Sequence, residues 1–277
     1  MRKLMLLPAL ILAACHSMHP APPPASAAPQ ATNPAAELYV TPDQIDLTRL
    51  IPPPPAPDSK AQMADIHMVL AKQKVRSLAL AKQVEADAET SPFRFADVLG
   101  PNFTSEKLPV TAAFFAKVKK NLSALADITK TCFERPRPFV ADKHIHPPGN
   151  MRDAVKSDPK RDNSARPLVP QGPGTACKPA EELPTYSYSY PSGHSTLGTT
   201  VAILLSQMVP EKRAELYARG WYYGDERVIA GVHFPTDIEA GRIQATVIVA
   251  FMMQNAQFRS DLAAARAEVR SALSLSP

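Results

Sequence analysis

Three separated groups of ionisable residues in this sequence have the types and spacing needed to hold an oxyanion. In the first group, six residues separate Lys130 from Arg137, and prolines on both sides of Arg137 end the helix predicted before it. A guanidinium offers a planar fork to two phosphate oxygens, and an ammonium offers a point charge. Taken alone, this pair fits a solvated basic helix end equally well.

The second group is the turn Tyr190-Pro191-Ser192-Gly193-His194, which a predicted helix follows. Gly193 permits close approach of the backbone to a ligand, and free amides at a helix N-terminus form an anion site. Ser192 adds a hydroxyl donor, and the His194 ring can reach the same anion. The alternative is a serine N-cap with an incidental histidine.

The third group consists of Arg227, His233 and Asp237, separated by five and three residues. Pro235 argues against one continuous helix through His233 and Asp237, because proline lacks a donor and clashes with the preceding turn. His233 is therefore predicted at a bend and Asp237 in the first turn of the next helix. The carboxylate can then accept a hydrogen bond from one ring nitrogen and leave the other free to attack. The alternative is a buried histidine satisfied by a neighbouring aspartate.

Together the three groups resemble the signature of the type 2 phosphatidic acid phosphatase superfamily, which reads Lys-x6-Arg-Pro, Pro-Ser-Gly-His and Ser-Arg-x5-His-x3-Asp. Within it, the chain is most similar to the bacterial class A non-specific acid phosphatases, also in the segment 50–59. The resemblance extends from about residue 38 to residue 251. It departs from the family at Glu226, where a serine is usual, and in a longer stretch within 141–190.

The resemblance implies a metal-independent acid phosphatase that hydrolyses a broad range of phosphate monoesters through a phosphohistidine, with no cofactor. It assigns His233 as the nucleophile, Asp237 as its orienting partner and His194 as the general acid. The phosphate-binding residues that it implies are Lys130, Arg137, Ser192, Gly193 and Arg227. Fixed cations and amides suit this chemistry, because phosphoryl transfer spreads negative charge over the equatorial oxygens.

Other functions remain open at this point. A vanadium-dependent haloperoxidase has a similar anion pocket and would require vanadate and peroxide for halide oxidation. A lipid or isoprenoid phosphate phosphatase at the membrane is a second alternative. A catalytically silent phosphate-binding lipoprotein is a third, since Glu226 could repel a phosphate if its side chain faced the pocket.

Helical periodicity predicts the elements that must position these residues. No run of residues alternates as a strand would, so the predicted fold is all-α, a compact helical bundle of the type 2 phosphatidic acid phosphatase and vanadium haloperoxidase type. Residues 141–190 are predicted as a long loop. The predicted helices span residues 59–90, 109–131, 193–208, 211–229, 236–254 (opened by a capping box at Thr236) and 256–273.

The N-terminus has the features of an export signal. Residues 1–15 combine a basic start with a short apolar stretch that ends in the lipobox-like Leu12-Ala13-Ala14-Cys15. Cys15 is therefore the candidate lipidation site, and the alternative is ordinary cleavage after Ala27. Residues 16–37 form a predicted Pro/Ala-rich tether, and residues 38–277 the acid phosphatase domain. We expect a periplasmic lipoprotein, anchored in the outer membrane of a Gram-negative bacterium through Cys15 alone.

Charge and cysteine content set further limits. The net charge of +5 favours anionic partners, but no run of five Lys or Arg residues indicates nucleic-acid binding. The predicted partners are small phosphate esters, and a homodimer is left open. Cys132 and Cys177 form a candidate disulfide in an oxidising compartment, with two buried thiols as the alternative. Neither cysteine has the spacing of a metal site, and no metal is predicted.

Overall fold

The computed structural model describes residues 38–156 and 186–276, and within them the regular elements are helices. This confirms the predicted all-α class. The α-helices are α1 Leu47–Leu50, α2 Lys60–Lys74, α3 Leu78–Ala86, α4 Ala96–Leu99, α5 Pro109–Phe133, α6 Pro138–Ala141, α7 Gly193–Met208, α8 Arg213–Ile229, α9 Pro235–Met252 and α10 Ala256–Ala272. No helix among these residues combines the length and apolar composition that crossing a membrane requires.

Helix α7 lies at the centre of the bundle, where it packs against α8 and α9. Its contact with α8 brings two backbones together at Gly198 and Gly220. A Cβ added to Gly198 would lie 2.7 Å from the Gly220 carbonyl oxygen, and one added to Gly220 would lie 2.5 Å from the Gly198 carbonyl oxygen. This contact fixes the distance between the helix that begins with Gly193 and the helix that carries Arg227.

Helices α5 and α10 pack against each other on the other side of the core. Phe114 of α5 lies next to Phe258 of α10, with ring centroids 5.6 Å apart. The segment before α1 is joined to this layer by Asn121, whose side chain bonds the amides of Tyr39 and Val40 at 2.8 and 2.9 Å. Residues 38–46 are thereby held against the bundle.

Two predicted helix boundaries are corrected. The helix predicted over 59–90 is two helices, because the Ser77 side chain accepts a hydrogen bond from the Leu80 amide and starts α3. The helix predicted over 236–254 is α9, which begins at Pro235 with Phe234 as its N-cap. Its capping hydrogen bond runs from the Phe234 amide to the Asp237 carboxylate at 2.8 Å, so Thr236 does not cap the helix.

The predicted loop 141–190 is described on both sides of residues 157–185. The two residues that flank this stretch lie side by side, because Lys156 and Tyr186 form an isolated antiparallel bridge. The Ser187 amide also donates to the Val155 carbonyl at 2.9 Å. The stretch after this bridge, residues 187–192, leads directly into α7.

Candidate active site

The first two cations reach the stretch before α7 from the end of α5. Glu134, in the left-handed region with φ 47°, ends that helix and turns the chain. Lys130 Nζ donates to the Tyr188 carbonyl at 2.7 Å, and Arg137 Nε donates to the Ser187 carbonyl at 2.7 Å. Burial, followed by the charge of Arg137, holds the pKa of Lys130 well below its usual range. Both cations are therefore poorly solvated, and an anion placed beside them would be electrostatically stabilised.

His233 lies at the predicted bend between α8 and α9 and is 3% exposed. Its Nε2 is 2.8 Å from Nη1 of Arg137, and its Nδ1 is 3.2 Å from Oδ2 of Asp237. An arginine can only donate, so Nε2 accepts and carries the lone pair, while Nδ1 carries the proton. Burial and the nearby charge of Arg137 lower the pKa of His233 well below its ordinary value. The ring is therefore neutral, with an unprotonated nitrogen beside a phosphate-binding cation.

Asp237 is fully buried in the first turn of α9 and accepts several hydrogen bonds. Its oxygens accept hydrogen bonds from Nη1 of Arg135 at 2.5 Å, from the Ser189 hydroxyl at 2.6 Å and from the Phe234 amide at 2.8 Å. Burial would raise its pKa, but the hydrogen bond from His233 and the charge of Arg135 hold the pKa well below the usual range. Asp237 therefore remains an anion that orients His233.

The turn Ser192-Gly193-His194 forms the N-terminus of α7. The Ser192 hydroxyl accepts from the Ser195 amide at 3.3 Å, and the Ser192 amide donates to the Asp237 carbonyl at 3.0 Å. This second bond joins the N-terminal turns of α7 and α9. The first amides of a helix have no acceptor within it, so the Gly193 and His194 amides are available to an anion.

His194 has the opposite tautomer from His233. Its Nε2 is 3.0 Å from the Ala88 carbonyl, which can only accept, so Nε2 carries the proton and Nδ1 the lone pair. Burial, followed by the charge of Arg227, lowers the pKa of His194 to about 3. The charges of Arg137 and Lys130 act in the same direction. The charges of all three predicted cations therefore act on this imidazole.

Arg227 has buried hydrogen-bond donors that are not paired within the described residues. Its side chain is 1% exposed, and Nη2 donates to the Val84 carbonyl at 2.7 Å. Its Nε and Nη1 have no hydrogen-bond partner among the described residues. Because buried donors are almost always paired, these two atoms mark a place where an anion fits.

Three polar residues of the cluster were not predicted from the sequence. Arg135 bonds Asp237, and its Nη2 reaches Gln62 and Asp65 of α2 at 2.6 and 2.7 Å. Ser189 bonds Asp237, and Ser187 receives Nη2 of Arg137 at 2.8 Å. A signal for Arg135 was present in the alternation Arg-Pro-Arg-Pro of 135–138. The two serines had none, because their partners are distant in the chain.

The structure thus brings together all eight predicted site residues from the ends of α5, α7, α8 and α9. Within the described parts of the chain, no three His, Cys, Asp or Glu side chains are grouped to hold a metal ion. Cys132 lies in the last turn of α5. Cys177 and Cys15 lie outside the described residues, so the disulfide and the lipidation site stay predictions.

Comparison with known proteins gives a family and several relatives. The chain matches the PAP2 superfamily over residues 112–261, a range that contains all three motif groups. It is 28% identical over 225 residues to a non-specific acid phosphatase of Salmonella typhimurium, covering 79% of this chain and 78% of that protein. A non-specific acid phosphatase of Providencia stuartii is 27% identical over 224 residues, covering 81% of each chain. An acid phosphatase of Zymomonas mobilis is 39% identical over 84 residues, covering 30% of this chain and 32% of that protein.

Proposed function

This chain belongs to the PAP2 superfamily, and on that basis we propose that it is an acid phosphatase that hydrolyses phosphate monoesters through a phosphohistidine. One observation carries the proposal. The unprotonated Nε2 of His233 lies 2.8 Å from Nη1 of Arg137, so a phosphoryl group held by the arginine meets the nucleophile. The relatives that align with most of this chain are named non-specific acid phosphatases, which supports the same activity.

In the first step, the lone pair of His233 Nε2 forms a bond to phosphorus, and the bond from phosphorus to the ester oxygen breaks. The departing alkoxide keeps that electron pair and takes a proton from His194. The His233 ring becomes cationic while Nδ1 retains its proton. Asp237 stabilises this charge through the contact at Nδ1, which is 3.2 Å long in the resting site.

In the second step, water attacks phosphorus and His194 takes a proton from it. The bond between nitrogen and phosphorus breaks, and its electrons return to Nε2 as a lone pair. His194 holds this proton while the product is bound, and inorganic phosphate then leaves. Since the Ala88 carbonyl occupies the Nε2 side of His194 at 3.0 Å, Nδ1 is the nitrogen available for both transfers.

Phosphate binding allows His194 to take up the proton that it needs from solvent. In the resting site, burial and then the charges of Arg227, Arg137 and Lys130 lower the pKa of this ring to about 3, so the ring is neutral above that pH. A bound phosphate offsets their charge and raises the pKa of His194. Lys130, Arg137, Arg227, Ser192 and the amides of Gly193 and His194 hold the phosphate. We propose that these groups make a metal ion unnecessary.

The test is hydrolysis of p-nitrophenyl phosphate by the purified chain at about pH 6, with and without a chelator. We expect turnover that the chelator leaves unchanged and that vanadate inhibits, because vanadate mimics the five-coordinate state. A panel of sugar, nucleoside and lipid phosphate esters then measures the proposed broad range. A chain that hydrolyses none of them, or that oxidises halide with vanadate and peroxide instead, would overturn the proposal.

We also propose that the protein is exported and anchored by a lipid on Cys15. The apolar stretch and the lipobox-like end of residues 1–15 support this. Cells fed an alkyne-tagged fatty acid should label the wild-type chain and Cys132→Ser, but not Cys15→Ser. A cleaved, unlabelled chain in the soluble periplasmic fraction would contradict the anchor.

A further inference from the structure

Glu226 stands directly before Arg227 in α8. It is fully buried, and its Oε2 lies 3.7 Å from Nη2 of Arg227, beyond hydrogen-bond distance. Neither of its oxygens has a donor among the described residues. An ionised carboxylate is very unfavourable in such a place.

The neighbour of Glu226 is a second buried carboxylate, Asp87, at the end of α3. Asp87 accepts hydrogen bonds from Nε of Arg94 and from Nη2 of Arg219, each at 2.7 Å. Burial opposes its ionisation, but hydrogen bonds from Glu226 and Arg94 and the charge of Arg219 lower the pKa of Asp87. Of the two acids, Asp87 therefore keeps the negative charge.

Glu226 is the member of the pair that keeps a proton. Burial, the hydrogen bond to Asp87 and the Asp87 charge raise the pKa of Glu226 to about 8. Protonated Glu226 has an O–H donor for Asp87, which explains how a buried acid persists without any other donor. The charged and titratable groups around the pair are Asp87, Arg94, Asp97, Arg219, Tyr222 and Arg227.

We propose that Glu226 is a positioning residue: its protonated carboxyl bonds Asp87 and leaves the full charge of Arg227 to the substrate phosphate, so that loss of this proton weakens phosphate binding. The inference rests on the proposed function, because it assigns Arg227 to the phosphate. Ionisation places a negative charge 3.7 Å from Nη2 of Arg227, the nitrogen that donates to the Val84 carbonyl. By linkage, bound phosphate favours protonated Glu226 to the same extent.

The experiment measures the affinity of the full chain for inorganic phosphate by calorimetry from about pH 6 to pH 9. Glu226→Gln has the same shape, keeps a donor for Asp87 and cannot ionise. Glu226→Ser introduces the residue usual in the family and serves if the glutamine variant folds poorly. Glu215→Gln is the matched control, because Glu215 is exposed on the same helix. Comparison between variants cancels the titration of phosphate itself.

We expect the dissociation constant of the wild type and of Glu215→Gln to rise about tenfold more than that of Glu226→Gln across this range, because one pH unit above a pKa about a tenth of the group stays protonated. Parallel curves for wild type and Glu226→Gln would overturn the inference. Phosphate binding without any hydrolysis of p-nitrophenyl phosphate would contradict the proposed function and leave the inference standing. Absence of phosphate binding in the wild type would overturn both.

Discussion

The two imidazoles of the site hold their lone pairs on different nitrogens, and each tautomer is set by a contact made far along the chain. Arg137 leaves Nε2 of His233 unprotonated, and the Ala88 carbonyl keeps the proton on Nε2 of His194. The motif spacing could predict that both rings belong to one site. It could not predict the tautomers, because Ala88 is 106 residues away from His194 and belongs to no motif.

The two histidines should differ in how much activity their loss removes. His233→Ala deletes the nucleophile, so turnover of p-nitrophenyl phosphate should vanish. His194→Ala keeps the nucleophile and loses proton transfer, which should slow turnover at least about a hundredfold. Steady-state kinetics beside His67→Ala, an exposed histidine of α2, gives the comparison. Full activity in either active-site variant would rule out the assigned role.

Arg135 should matter for stability as well as activity, because it joins two buried carboxylates, Asp237 and Asp65. Arg135→Leu leaves both without their cation and should lower the free energy of unfolding by about 3–5 kcal/mol. Urea unfolding measures this, with the exposed Arg49→Leu as a control that should change little. An unchanged midpoint for Arg135→Leu would show that this ion pair contributes nothing.

At the scale of elements, local signals predicted the helices better than their ends. The apolar period of 59–90 did not predict the break at Ser77, because the pattern continues through both α2 and α3. The Ser77 side chain caps the start of a new helix there. Pro235 did predict the bend before α9. The centre of the bundle required long-range packing, since nothing in the sequence pairs Gly198 with Gly220.

The contact between α7 and α8 has no room for a side chain. Gly198→Ala places a Cβ 2.7 Å from the Gly220 carbonyl oxygen and 3.0 Å from Cδ1 of Tyr223. The helices must separate, which should cost about 1–3 kcal/mol of stability and lower activity by moving His194 relative to Arg227. A Cβ at Gly193 meets no atom within 4 Å. Thermal unfolding of Gly193→Ala should therefore match the wild type, and equal losses in the two variants would contradict this packing.

At the scale of the whole molecule, a buried cluster of cations and neutral histidines makes the empty protein sensitive to acid. The pKa of His194 is lowered to about 3 in the folded state. Below about pH 6.5, the unfolded chain therefore binds a proton at this ring that the folded chain does not bind. Stability is then lost as the pH falls. His194→Asn should remove about 1–2 kcal/mol of the decline between about pH 7.5 and pH 5, allowing for partial exposure of the ring.

Denaturant unfolding at the two pH values, with and without inorganic phosphate, measures this effect. Phosphate at about 100 times its dissociation constant should add about 2.7 kcal/mol to the wild type. Glu226, whose pKa is raised, acts in the opposite direction, so the comparison between wild type and His194→Asn is the informative one. An identical pH dependence in both proteins would mean that the pKa of His194 is not lowered by folding.

The antiparallel bridge between Lys156 and Tyr186 has a further consequence for how this enzyme can diversify. Because Lys156 and Tyr186 lie side by side, a graft of another length between them should leave Tyr188 and Ser187, the partners of Lys130 and Arg137, in place. Segments of different length can thus be tolerated between Lys156 and Tyr186 without displacing the contacts of the two cations, in nature or by design.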